Sequence, residues 1–279
     1  MVELRPEFAR ETDANPGRGG TVRTPSGRTI PVRTTYADTP TAWRLEVAVH
    51  DGRLVNADSG APLDTAGGYA GLAGWDTERP VDRFLYAMDP GGQLYAADPT
   101  DLSPDAVDWL ARARPLDQIA VWHHSSFVAG GPVTCAGDLH TTPDGTLTRL
   151  SSWSGHYRPG PAALAAALRT LADHGLDLDP VLAEVVGAGG SVRVVAAAAL
   201  AARGTDEGLE DLGPEVRRTD AIGLVCRVLG AGWTPDADAR LDQWVAAGAR
   251  AADPTAFDPT CPSHWNWLAR WALEGRTPR

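Results

Sequence analysis

The stretch Gln118–Arg158 reads QIAVWHHSSFVAGGPVTCAGDLHTTPDGTLTRLSSWSGHYR and concentrates the residues that could do chemistry. His123 and His124 lead directly into Ser125 and Ser126, and His156 and Tyr157 follow Gly155. An imidazole exchanges protons near neutral pH, and a serine beside it can act as nucleophile or hold a ligand. If Ile119–Phe127 is a strand, the two adjacent histidines point to opposite faces. One of them then shares a pocket with Ser126, and the other lies with Ser125 and Phe127.

Each candidate competes with a plainer role. A single histidine is more often a hydrogen-bonded structural group than a catalyst, and a cluster of buried polar side chains raises the functional reading. The glycine corner at Gly130 and the turn at Gly155 allow the backbone to approach a ligand closely. Arg158 can hold a phosphate or carboxylate, helped by the N-terminus of the helix that follows Pro159-Gly160. The alternative is that His156 and Tyr157 simply pin that helix to a sheet. Cys135 could be a nucleophile activated by His124 or His156, but its place among Val133, Gly137 and Leu139 favours a small buried apolar role. Asp138, on the opposite face of its strand, could orient a histidine. His140 and Asp144 are expected at a solvated hairpin tip. Metal-ligand spacing such as HxH or HxxxH is missing, as are a P-loop, GxSxG and HExxH.

These residues must be positioned by the elements around them. Trp43–Val49 alternates as a strand, turns at Asp51-Gly52 and returns over Arg53–Ala57. Phe84–Met88 and Gln93–Ala97 form a second hairpin about Asp89-Pro90-Gly91-Gly92. Ser103-Pro104-Asp105 opens a helix over Asp101–Ala113. Ile119–Phe127 is read as the central strand. Val133–Thr142 and Thr146–Ser152 pair across Pro143-Asp144-Gly145. A helix runs from Pro161 to His174, with Gly175 as its left-handed cap. Before these lies a leader rich in Pro, Gly, Thr and Arg, with one short strand near Ile30–Val32. Beyond Asp179, Leu182–Val186, Val192–Arg203, Glu215–Leu229, Asp236–Ala252 and His264–Glu274 all read as helical. Trp233, Trp244, Trp265, Trp267 and Trp271 are expected to pack that unit. The fold class is therefore α+β: an antiparallel β-rich sheet or small barrel with flanking helices, then an all-helical C-terminal unit. The division is 1–40 as partly disordered leader, 41–178 as the α+β domain and 179–279 as the helical unit.

Composition bounds the function classes. All 25 basic residues of the 279 are arginine, against 36 acidic ones, for a formal net charge of −11. That balance argues against broad nucleic-acid or anionic-membrane binding. Three scattered cysteines make a disulfide framework or zinc site unexpected. The longest apolar run, Val192–Ala202, is too short to span a bilayer, and the N-terminus has no secretory character. A soluble protein is expected, cytoplasmic or exported without a usual signal peptide.

The ordered motifs FLYAMDPGGQLY, HHSSFVAGGPVTCAGDL and SGHYRP, followed by an amphipathic helix, resemble a known domain over about Trp43 to Asp177. It occurs in plant IQ-motif calmodulin-binding proteins, and in C-terminal domains of bacterial polymorphic toxins and secreted effectors. The toxin versions carry AGE where this chain has Ala136-Gly137-Asp138. The chain has no IQ motif, so calmodulin binding is not expected. The resemblance implies an effector-type domain that modifies a host or rival molecule. By analogy alone, its pocket groups are similar to those that hold NAD in ADP-ribosyltransferases, so a transferase using a nucleotide such as NAD is the first reading. In it His124, Ser125, Ser126, Asp138, His156 and Tyr157 are the catalytic set, and His123, Arg158, Gly155 and Gly130 bind the ligand. The alternative is a non-catalytic module in which the motif is structural and the C-terminal helices hold a protein partner.

Overall fold

A computed structural model describes residues 1–6, 18–23, 29–34, 36–37, 39–66, 68, 82–98, 119–187, 191–247 and 262–277. The protein is α+β. Strands β1 (Arg18–Arg23), β2 (Thr29–Thr34) and β7 (Ile119–Val121) form a small sheet in the order β1-β2-β7. The main sheet has eight strands: β3 (Glu46–His50), β4 (Arg53–Asn56), β5 (Phe84–Met88), β6 (Leu94–Ala97), β8 (Cys135–Thr141), β9 (Leu147–Ser151), β10 (Leu182–Val186) and β11 (Val192–Ala196). Their order is β11-β10-β9-β8-β5-β6-β3-β4, an open sheet with β11 and β4 at its ends rather than a barrel.

Alternation along the central strands creates two buried faces. Tyr86, Met88, Cys135, Leu139 and Leu150 point one way. There they pack under α2 (Pro161–Asp173) through Leu164, Leu168 and Leu171, and under α3 (Ala197–Arg203) through Leu200. Leu85, Ala87 and Ala136 point the other way, into a second cluster with Trp122, Phe127, Val133 and Tyr157. A short helix, α1 (Thr39–Arg44), precedes β3. Its presence corrects the reading of Trp43–Val49 as one strand. Trp43 is helical and exposed, and pairing begins at Glu46.

Two further corrections concern the sheet. Leu182–Val186 and Val192–Ala196 are strands, not helices. They pair antiparallel over five positions, and β10 runs parallel to β9 across the α2 crossover. Short apolar runs carry no usable period, so their alanines and valines suit either state. The expected central strand Ile119–Phe127 ends at Val121 and belongs to the small sheet. His124–Ser126 is a single 3-10 turn.

The helices that follow are α4 (Gly213–Leu229), α5 (Pro235–Ala246) and α6 (Pro262–Leu273). Thr234 caps α5 by accepting from the Ala237 N–H, with Pro235 in the first turn. Leu241, Trp244, Leu268 and Ala272 form one buried cluster, and Ala221, Val225, Trp265 and Ala269 another. Trp233 and Trp271 pack against these, whereas Trp267 is 52% exposed and does not serve the core. The expected helix Asp101–Ala113, most of the loop from Ser59 to Pro80, and Cys261 lie outside the described residues.

Candidate functional site

The two histidine-bearing segments meet above the second face of the sheet. Residues His124–Ser126 turn tightly because Ser126 Oγ accepts from the His123 N–H (2.9 Å) while the Ser126 N–H donates to the His123 carbonyl (2.9 Å). This turn, not strand alternation, separates the histidines. His124 Nε2–H donates to the carbonyl of Gly137 on β8 at 3.0 Å. The His123 ring lies 4.6 Å from the His156 ring, centroid to centroid. Ser125 Oγ and His156 Nδ1 share a hydrogen bond of 3.0 Å. Tyr157 Oη donates to the Gly131 carbonyl at 2.7 Å, tying the second segment to the glycine corner. Gly130 has a positive φ of 76°, and its N–H donates to the Ser125 carbonyl.

Burial decides what this arrangement can do. Ser125 and Ser126 have no exposed surface, and His124, His156 and Tyr157 retain 8%, 9% and 2%. Burial holds the His156 imidazole down at about 4, so it is neutral at physiological pH. A neutral imidazole against a serine hydroxyl is a general-base geometry, but a nucleophile also needs an open approach. The folded imidazole protonates only near pH 4, whereas in the unfolded chain it does so near 6.5. The unfolded state therefore binds the extra proton between those values. Stability should fall as pH drops from about 6.5 to 4, by up to about 3 kcal/mol. Urea unfolding across this range checks it, and His156→Gln should flatten that part of the profile.

The remaining candidates sit differently. Asp138 is buried on the second face, its N–H donating to Ser151 Oγ at 2.8 Å. Arg158 is exposed, with a left-handed φ of 48°, and its N–H donates to the Ser154 carbonyl. At Gly155 nothing lies within 4 Å of an added Cβ, so neither a neighbouring group of the fold nor a positive φ calls for glycine there. Cys135 is fully buried, receives the Tyr86 hydroxyl at 3.2 Å, and has its thiol pushed up to about 12 by burial. It is a core residue, not an activated nucleophile. His140 is corrected from the exposed tip. It is half-buried, opposite Arg149 in register and bonded to Thr148, and burial first, then Arg83 and Arg149, lowers its proton affinity.

The sequence reading missed a charged network beside the motif. Arg83 Nη1 and Nη2 bind Glu184 Oε2 and Oε1 at 2.6 and 2.7 Å. Arg149 sits 3.9 Å from Glu184 and makes a two-pronged contact with Asp220 of α4. Arg217, also on α4, donates to the Val192 carbonyl. The partners are 101 and 71 residues apart in the chain for Arg83–Glu184 and Arg149–Asp220, and no local pattern announces either pairing.

Comparison with known proteins bears on these same residues. Residues 114–164 match the family model of the IQ motif-containing protein middle domain. This span carries the HHSS turn, the glycine corner and the SGHY segment. The IQ domain-containing protein IQM3 of Arabidopsis thaliana is 28% identical over 136 residues, which is 49% of this chain and 24% of that protein. The chain thus spans about a quarter of that relative's length. No solved structure matches. The plant IQ-motif side of the resemblance is supported. The description as a bacterial polymorphic toxin or effector domain is corrected, because the match is to IQ motif-containing proteins. The expectation that calmodulin is not a partner is withdrawn on the same finding. Among the described residues, no helix is long and apolar enough to cross a membrane.

Proposed function

We propose that this chain is a non-catalytic regulatory and protein-binding module, with the His/Ser/Tyr motif as its structural clamp. The observation that carries this reading is the burial of Ser125 and His156 and the hydrogen bond between them. Bonds of the motif also tie the fold together: His124 to β8, Ser126 within its own turn, and Tyr157 to the glycine corner. Buried polar groups paired in this way specify one arrangement of two distant segments. The IQ name of the relative makes calmodulin the first partner to titrate.

A second reading, a transferase using a nucleotide such as NAD, is favoured by the 3.0 Å Ser125–His156 contact. One experiment separates the two. Ser125→Ala and His156→Ala should each lower stability by about 1–3 kcal/mol in urea unfolding, through lost or orphaned buried hydrogen bonds. The unaltered chain should release no nicotinamide from millimolar NAD. Release that vanishes in Ser125→Ala, at an unchanged melting temperature, would establish the transferase instead.

A further inference from the structure

The turn that carries His156 has two sides. Ser154, His156 and Tyr157 are buried, while Trp153, Gly155, Arg158 and Gly160 are exposed. The fold accounts for the inward side: His156 meets Ser125, Tyr157 reaches the Gly131 carbonyl, and the Ser154 carbonyl closes the turn by accepting the Arg158 N–H at 2.8 Å. It does not account for the outward side. Arg158 holds a left-handed backbone, φ 48°, directly before Pro159. Any residue with a Cβ is disfavoured in that conformation, and a residue before proline is ordinarily extended. Glycine would relieve the strain, and arginine returns nothing to the interior: its exposed side chain makes no hydrogen bond or ion pair among the described residues. Gly155 and Gly160 are the converse case. Neither has a positive φ, and nothing of the fold lies within 4 Å of a Cβ added to either. Trp153, just before the turn, leaves 41% of its surface exposed.

Backbone strain that the interior does not explain points to a function at that residue. We infer that the outward side of this turn is a docking site for another protein. The inference rests on the protein-binding reading above and names the partner's chemistry: a carboxylate beside an apolar side chain. The carboxylate pairs with the Arg158 guanidinium through two parallel N–H donors, and the apolar side chain covers Trp153. Tryptophan and arginine are the residue types that carry most of the energy at protein interfaces. The bare backbone at Gly155 and Gly160 lets the partner's chain come close, which is the use the fold itself does not make of them. The stretch Trp153–Gly160 contains Arg158 and no acidic residue, so a carboxylate meets no opposing charge within the turn. The net charge of −11 repels a densely acidic partner at longer range, which favours a single carboxylate flanked by apolar residues.

The test selects binders from a random-peptide display library on the immobilised full chain. Enriched peptides should place an aspartate or glutamate next to an apolar residue. Their affinity should fall at least about tenfold with Arg158→Gly, and again with Gly155→Leu, which fills the open approach. Arg158→Gly should meanwhile melt at or above the temperature of the unaltered protein, since it sheds the left-handed strain. Failure to enrich any peptide, peptides that lack an acidic residue, or affinity untouched by Arg158→Gly overturns the inference. So does a melting temperature lowered by Arg158→Gly, because the fold itself would then use the arginine. Tighter binding of inorganic phosphate than of any selected peptide, lost in Arg158→Gly, would mark a phosphate site and overturn the protein partner. Nicotinamide release from NAD is followed in parallel. Turnover by the unaltered chain would defeat the non-catalytic reading whatever the peptides do. A failed selection without turnover defeats this inference alone.

Discussion

Replacing Glu184 by glutamine is expected to cost about 3–5 kcal/mol of stability, because it strands the Arg83 guanidinium in the interior without its counter-charge. Arg83 is 4% exposed and Glu184 9%. Burial alone would lower the proton affinity of Arg83 and raise that of Glu184. Their mutual attraction and two hydrogen bonds override it, leaving Arg83 raised and Glu184 lowered. The pair joins the lead-in to β5 to β10, and Arg149 extends it to Asp220 on α4. Its loss should therefore loosen the hold of the helical cluster on the sheet. Urea unfolding of Glu184→Gln measures the cost. The double variant Arg83→Met with Glu184→Leu should be markedly less damaging than Glu184→Gln, since the buried Arg83 charge is removed together with its partner. A glutamate with depressed folded proton affinity stabilises fully above its ordinary value of 4.5, and that contribution is lost as pH falls through the lower folded value. Glu184→Gln should remove this part of the acid sensitivity. A cost below about 1 kcal/mol would show that the pair is not the tie described.

Gly137→Ala is expected to cost about 3 kcal/mol or more, the upper end for overpacking, because the obstacle is backbone. An added Cβ would stand 2.1 Å from the Ser151 carbonyl oxygen and 2.7 Å from its carbon. Relief requires β8 and β9 to part at the centre of the sheet. It would also move the Gly137 carbonyl that receives His124, and the Asp138 N–H that holds Ser151 Oγ. Gly155→Ala is the matched control. With nothing within 4 Å of its added Cβ, it should change stability by less than about 0.5 kcal/mol. Comparable melting temperatures for the two variants would overturn the argument.

How much was legible beforehand follows from the range of each interaction. β5, β8, β9 and α2 were placed within a residue or two, because alternation, turn residues and helical spacing are local signals. The HHSS and SGHY segments were singled out by residue type, and they do meet. How deeply they are buried was not legible. Exposure depends on what else folds over them, here residues 1–6 and the glycine corner. Leu182–Val186 and Val192–Ala196 were misread because short alanine-valine runs lack a period, and only pairing with β9 settles them as strands.

The chain's own order of residues determined the α+β class, the hairpins and the place where polar side chains gather, since each arises from neighbours a few positions apart. Tertiary structure alone decided that Ser125 and His156 are buried, that Arg83 finds Glu184 across 101 residues, and that an N-terminal segment lies on the motif. The physical reason is that burial and ion pairing depend on what closes from afar, and no local window contains that partner.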